Sequence, residues 1–184
     1  MTSLSSLFPR LQALLQAGID QKLHRGAQVY VSQNDRVLAD AAIGENADAQ
    51  PLLPETLMLW LSAGKPITAA GALLLHDHGL LQLDDPVARY LPEFAAAGKG
   101  GVTLRHLLTH TAGLKPLVTG WPDVAWQDII ARICRAPLVT GWNPGTRGGY
   151  DPGRSWFILG EVLQRITALP MTDFLREEIL LKCE

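Results

Sequence analysis

The stretch LWLSAGKPITAAGALLLHDHG, Leu59–Gly79, decides how the rest of the chain is read. From Ile67 to Leu75 it is too apolar to face water, and Gly79 supplies a stop, so it reads as a buried helix. Ser62 and Lys65 stand three positions apart at its head, and on a helix they share a face one turn apart. A helix N-terminus presents unpaired N–H groups and a partial positive charge, which suits a serine that attacks a carbonyl. A lysine desolvated among apolar neighbours has its pKa pushed down, and its neutral amine accepts the serine proton. Pro66 fits the first turn because it lacks the N–H that would bond the Ser62 carbonyl. Read alone, S-x-x-K equally describes the ordinary polar start of a buried helix.

Composition sets the outer limits. A chain of 184 residues with 47% hydrophobic and 18% charged residues is that of an ordinary globular protein with one substantial core. A net charge of -2 gives no reason to expect nucleic acid or an acidic membrane as partner. Cys134 and Cys183 lie far apart in no metal-like spacing, so neither a disulfide framework nor a cysteine metal site is expected. No segment reaches the roughly 18 unbroken apolar residues of a membrane span. The first residues lack a basic stretch, a continuous apolar core and a cleavage site, which predicts a cytoplasmic protein.

Outward from Leu59, the leucines from Leu4 to Leu15 predict an amphipathic helix from about Leu4 to Lys22, with Pro9 as an alternative start. GAQVYVSQNDRVLADAAIG reads as a hairpin turning at Gln33–Asp35. Downstream, AAAGKGG reads as an exposed loop, and Thr103 as the cap of a short helix. A helix is expected from about Val124 to Arg135 with Asp123 as its cap, and two more over SWFILGEVLQRITAL and PMTDFLREEILL. Two strands followed only by helices is an awkward count, because a lone hairpin is marginal unless something covers it.

Tyr150, in PGTRGGYDPG, is the second candidate for chemistry. A phenol near a cation becomes a phenolate or relays a proton, and flanking glycines let its backbone approach another element. Without context it reads equally as a half-buried loop tyrosine.

Three blocks in order, LSAGKPITAAGALLLHDHGLLQLDDPVARYLPEF, TLRHLLTHTAGL and PGTRGGYDPGRSWFILGEVLQRITALP, resemble the serine β-lactamase-related family. That family groups class C β-lactamases, penicillin-binding proteins and family VIII-type esterases. The resemblance implies an α+β, β-lactamase/transpeptidase-like fold over one domain, residues 1–184, incomplete relative to the family. By resemblance Ser62 matches the acylated nucleophile, Lys65 its partner and Tyr150 the second-motif tyrosine. The implied activity is hydrolysis of an ester or amide carbonyl through an acyl-enzyme, on a small-molecule substrate, with no metal and no organic cofactor.

Two departures stand out. Pro152 occupies the position where the family carries Asn or Ser, and it offers no polar atom. No K-T-G or H-x-G third motif follows Tyr150, so C-terminal sheet strands and a second oxyanion N–H are expected to be absent. That leaves a second reading, a catalytically silent domain serving binding or assembly, and predicts self-association through an exposed sheet edge.

Other residues have ordinary readings. His106 and His110 have the i, i+4 spacing of a zinc pair but lack the glutamate of H-E-x-x-H, and the resemblance makes their block structural. Asp84 or Asp85 is expected to cap the next short helix, and Trp60 to lie in the core or a pocket wall.

Overall fold

The computed structural model describes residues 4–183, which fall into two compact units divided between Leu59 and Trp60. In the first unit α1 (Leu4–Leu7) and α2 (Pro9–Asp20) pack on a hairpin of β1 (Gly26–Gln33) and β2 (Arg36–Gly44). The break before Pro9 divides the single helix expected from Leu4, since a proline has no N–H to carry the ladder through. The hairpin turns at Asn34 and Asp35, both with positive φ (50° and 58°), a geometry that short polar side chains tolerate and that matches strand twist. The register holds from Gly26↔Gly44 to Val31↔Ala39, then shifts by a bulge before Ser32. This hairpin is the only sheet among the described residues.

The second unit is helical. Buried side chains from many segments, among them Leu91, Phe94, Leu107, Ile129, Ile133, Ile158 and Leu163, form its core. Around it lie α3 (Lys65–Asp77), α4 (Leu104–Leu108), α5 (Trp126–Arg135), α6 (Arg154–Thr167) and α7 (Met171–Glu178). Helix α6 is central, burying Ile158, Leu159, Val162 and Leu163 at helical spacing. Its one buried acid, Glu161, accepts hydrogen bonds from Trp126 Nε1 (2.6 Å) and Arg165 Nε (2.9 Å), which satisfies the charge. Helix α3 meets α7 at Gly71, where a Cβ would lie 2.5 Å from Leu175 Cδ2.

Several local expectations are corrected. Helix α5 begins at Trp126, and Asp123 does not cap it. The N–H groups of Asp123 and Val124 both bond the Gly120 carbonyl, closing a separate turn, and Ala125 is extended at ψ 145°, so the helix cannot start earlier. AAAGKGG is not simply an exposed loop. Its alanines fall within the 3₁₀ segment Pro92–Gly98, which kinks at Ala96 (ψ 155°) and Ala97 (φ 54°), and Lys99 is wholly buried. The Lys99 ammonium donates to the carbonyls of Ala96 (2.7 Å), Cys134 (2.8 Å) and Ala136 (2.5 Å), so it closes the C-terminal end of α5. Asp85 does not cap the helix after it. It braces the turn by accepting from Gln82 N–H, Arg89 and Tyr90, while Asp84 pairs with Arg105. Trp60 is exposed. Thr103 does cap α4, in a reciprocal capping box with His106. No helix among the described residues is long and apolar enough to cross a membrane.

Candidate active site

A 3₁₀ turn, Leu61–Gly64, runs directly into α3, so the expected helix start is built in two pieces. Ser62 lies in the tighter turn and Lys65 is the first α-helical residue. The Lys65 N–H bonds the Ser62 carbonyl, and Pro66, which needs no such partner, continues the helix. At three residues per turn, i and i+3 eclipse, which stacks the two side chains. The Lys65 amino group donates to Ser62 Oγ at 2.9 Å. Leu61, immediately before, sits at φ 48°, an uncommon conformation for leucine and a local strain at the entrance to the serine turn.

Tyr150 arrives from 88 positions away. Its hydroxyl lies 2.6 Å from Ser62 Oγ, and the Lys65 ammonium nitrogen is 5.5 Å from its ring centre. The structure therefore brings all three candidate residues to one point. The hydrogen bond with Ser62 and the neighbouring Lys65 cation hold the Tyr150 phenol below its ordinary value. Ser62 and Tyr150 are exposed and Lys65 is half-buried, so reagents can reach the serine.

Two features set the tyrosine's position. Gly149 lies flat on Trp142, where a Cβ would come 2.6 Å from the indole, and Gly113 touches the same ring from another segment. Trp142 itself donates to the Thr111 carbonyl at 3.0 Å. On the other side, the buried Asp151 carboxylate accepts the N–H groups of Gly153 (3.1 Å), Arg154 (3.0 Å) and Ser155 (2.8 Å). It also accepts Arg154 Nε and the Ser155 hydroxyl. These amides are the unpaired donors of the start of α6, so Asp151 anchors that helix one residue after Tyr150. Burial alone would raise the Asp151 pKa, but the Ser155 and Gly153 hydrogen bonds and the Arg154 charge outweigh it and hold the carboxyl below 3.8. Pro152, with no N–H, leaves the carboxylate to the three amides beyond it.

His110 was half of a zinc-like spacing in the sequence, but α4 ends at Leu108 and His110 lies beyond it at φ 56°. His106 Nδ1 accepts the Thr103 N–H inside the capping box, whereas His110 Nδ1 accepts the Asp151 N–H at 3.1 Å. The two imidazoles serve separate segments. Beside Lys65 opens a cavity of about 450 Å³. Its walls are mainly aromatic and apolar, with Leu61, Trp121, Trp126, Trp156, Phe157 and Met171. Trp156 Nε1 donates to the Lys65 carbonyl at 3.3 Å, tying this wall to the serine turn.

Sequence reading missed Asp151, His110 and Trp156 as parts of the site. For Asp151 a signal existed: Asp-Pro-Gly immediately before an amphipathic helix is a capping pattern. For the other two no local signal exists, because their partners lie 41 and 91 positions away.

A family model described as Beta-lactamase matches residues 11–182, spanning both units. The chain is 29% identical over 180 residues to a penicillin-binding protein of Bacillus subtilis (strain 168), covering 93% of this chain and 39% of that protein. It is 31% identical over 189 residues to esterase EstB of Burkholderia gladioli, covering 91% of this chain and 47% of that one. Among solved structures it resembles EstCE1, a hydrolase with promiscuous acyltransferase activity, with a TM-score of 0.84, 26% identity and coverage of 97% of this chain and 51% of that chain. The chain thus spans about half the length, or less, of these relatives. The architecture is a β-lactamase/transpeptidase-like fold as far as the chain extends.

Proposed function

The chain belongs to the beta-lactamase family, and from that premise we propose that it is the nucleophile-bearing part of a serine hydrolase acting on an ester or amide carbonyl through an acyl-enzyme. The observation that carries this reading is the shared contact of Ser62 Oγ with Lys65 (2.9 Å) and Tyr150 (2.6 Å). Lys65 donates to Ser62 Oγ instead of accepting its proton as a neutral amine, so the serine proton is left to the Tyr150 oxygen 2.6 Å away, whose lowered pKa suits it as acceptor. Ser62 Oγ attacks the carbonyl carbon, and the proton passes to the Tyr150 phenolate. The tetrahedral oxyanion falls to a backbone N–H of the serine turn. Tyr150 then returns the proton to the departing alcohol or amine, leaving the acyl group on Ser62, and water completes the cycle. The apolar cavity beside Lys65 suits a substrate with an aliphatic or aromatic group on one side of that carbonyl. Relatives that bear the names of an esterase, a penicillin-binding protein and a hydrolase with acyltransferase activity fit one acyl-enzyme shared by several acceptors.

A second reading is a binding or assembly module. It is favoured by one observation: Pro152 stands where the resemblance expects Asn or Ser, so that position offers no polar side-chain atom to a substrate or to Lys65. The two readings meet in one assay. A fluorophosphonate, which needs only an activated serine, is expected to label the purified chain at Ser62, with Ser62→Ala unlabelled and Tyr150→Phe slowed at least about a hundredfold. Labelling that survives Ser62→Ala, or a Tyr150→Phe rate equal to wild type, would refute the roles assigned to those residues. Efficient turnover of p-nitrophenyl acetate or nitrocefin would remove the module reading.

A further inference from the structure

His110 has no part in the chemistry above, yet it holds the backbone on both sides of Tyr150. Its carbonyl accepts the Gly149 N–H at 2.8 Å, and its Nδ1 accepts the Asp151 N–H at 3.1 Å. Between these two bonds its ring lies against the tyrosine, with centroids 4.8 Å apart and planes at 43°. It also stacks on Trp156 at 4.9 Å and 25°, the same indole that bonds the Lys65 carbonyl. The left-handed backbone at His110 lets one residue offer both carbonyl and ring to a single tripeptide.

We infer that His110 is the positioning residue for Tyr150: a neutral imidazole, held as the Nε2–H tautomer by the Asp151 N–H, that keeps the phenol on Ser62 Oγ and lets it go when protonated. A ring nitrogen that accepts a backbone N–H has no place for a proton of its own. Protonation would set N–H against N–H and open one of the two bonds that flank Tyr150. The groups facing the ring are Asp151, Tyr150, Lys65 and, lining the same small cavity, Arg154. Burial is the largest influence on His110 and disfavours the imidazolium; Asp151 opposes it and Lys65 adds to it, so the imidazole stays below its ordinary value of 6.5. The bond is therefore closed at neutral pH and opens in acid. This inference rests on the acyl-transfer reading only for the consequence of moving Tyr150; the bond itself does not.

The test has two arms. In the full chain labelled with ¹⁵N-histidine, long-range proton–nitrogen spectra are expected to show His110 as the neutral Nε2–H tautomer at neutral pH, titrating below the ordinary value. An Nδ1–H tautomer, or a ring still charged at neutral pH, overturns the inference. The second arm follows fluorophosphonate labelling of Ser62 against pH in wild type, His110→Ala and His110→Asn. A displacement of about 1 Å in a reacting group costs about a hundredfold, so His110→Ala is expected to label ten- to a hundredfold more slowly. Asparagine accepts the left-handed backbone and places an oxygen near the Nδ1 position, so it recovers much of that loss. Because it does not titrate, its rate falls less steeply than wild type toward acid. Equal rates and superimposable pH profiles for all three proteins would overturn the inference. If wild type itself does not label at Ser62, the acyl-transfer reading is lost, and the tautomer measured in the first arm still decides whether His110 holds the loop.

Discussion

Replacing Asp151 by asparagine tests whether the Tyr150 loop is anchored as described. The side chain keeps its shape, but one of its two oxygens becomes an NH₂ that faces donors. Five hydrogen bonds converge on the carboxylate, from Gly153 N–H, Arg154 N–H and Nε, and Ser155 N–H and hydroxyl. The Asp151 and Arg154 side chains are both buried, at 8% and 9% exposure, so the loss is not screened by water. Breaking a buried ion pair from one side costs about 3–5 kcal/mol, and loss of a helix N-cap about 1 kcal/mol of overlapping effect. We expect Asp151→Asn to lose about 4 kcal/mol, and at about 2–4 °C per kcal/mol for a chain of this size that lowers Tm by about 10 °C. Because the folded carboxyl lies below its ordinary value of 3.8, its contribution is complete above the unfolded value and is lost as pH falls through the folded one. Wild type should therefore lose its advantage over Asp151→Asn in strong acid. Urea unfolding at neutral and acid pH measures both effects. A double variant, Asp151→Asn with Arg154→Leu, should regain part of the loss because no charge is stranded. A neutral-pH cost under about 1 kcal/mol, or a double variant weaker than the sum of its parts, would refute the anchoring argument.

Two further outcomes concern packing. Lys99→Met should destabilise by about 2 kcal/mol in urea unfolding, because three inward-facing carbonyls lose their donor while a buried charge is removed. Burial lowers the folded Lys99 value below 10.5, so wild type gains on the variant as pH climbs from the folded value toward 10.5. Gly71→Ala should lower stability by about 1–3 kcal/mol despite alanine's better helix propensity, since its Cβ would meet Leu175 at 2.5 Å and Phe174 at 3.1 Å; a stabilised variant would show that α7 yields at that contact.

Much of the fold was legible in the sequence because its signals were local. The hairpin followed from strand formers around Asn34–Asp35, the cap of α4 from Thr103, and α6 from an apolar face repeated at helical spacing. The interior placement of Lys99 was not legible, since a lysine between glycines carries the signature of a solvated loop. What draws it inward is the exposed carbonyl end of α5, about 35 positions further on. The start of α5 failed for a related reason: Asp123 and Val124 give their N–H groups to the Gly120 carbonyl within their own turn, and an aspartate that resembles a cap is left with nothing to cap.

The sequence by itself determined that Ser62 and Lys65 would meet, because a spacing of three on one helical turn needs no other part of the chain. It also determined, through the resemblance of three ordered blocks, that Tyr150 was the residue to look for. Only the tertiary structure decided that the Tyr150 hydroxyl would come within 2.6 Å of Ser62, and that His110, Asp151 and Trp142 would be what holds it there. Hydrogen bonds and ring contacts between residues tens of positions apart exist only once the core has closed, and no local pattern of side chains encodes which partner each will find.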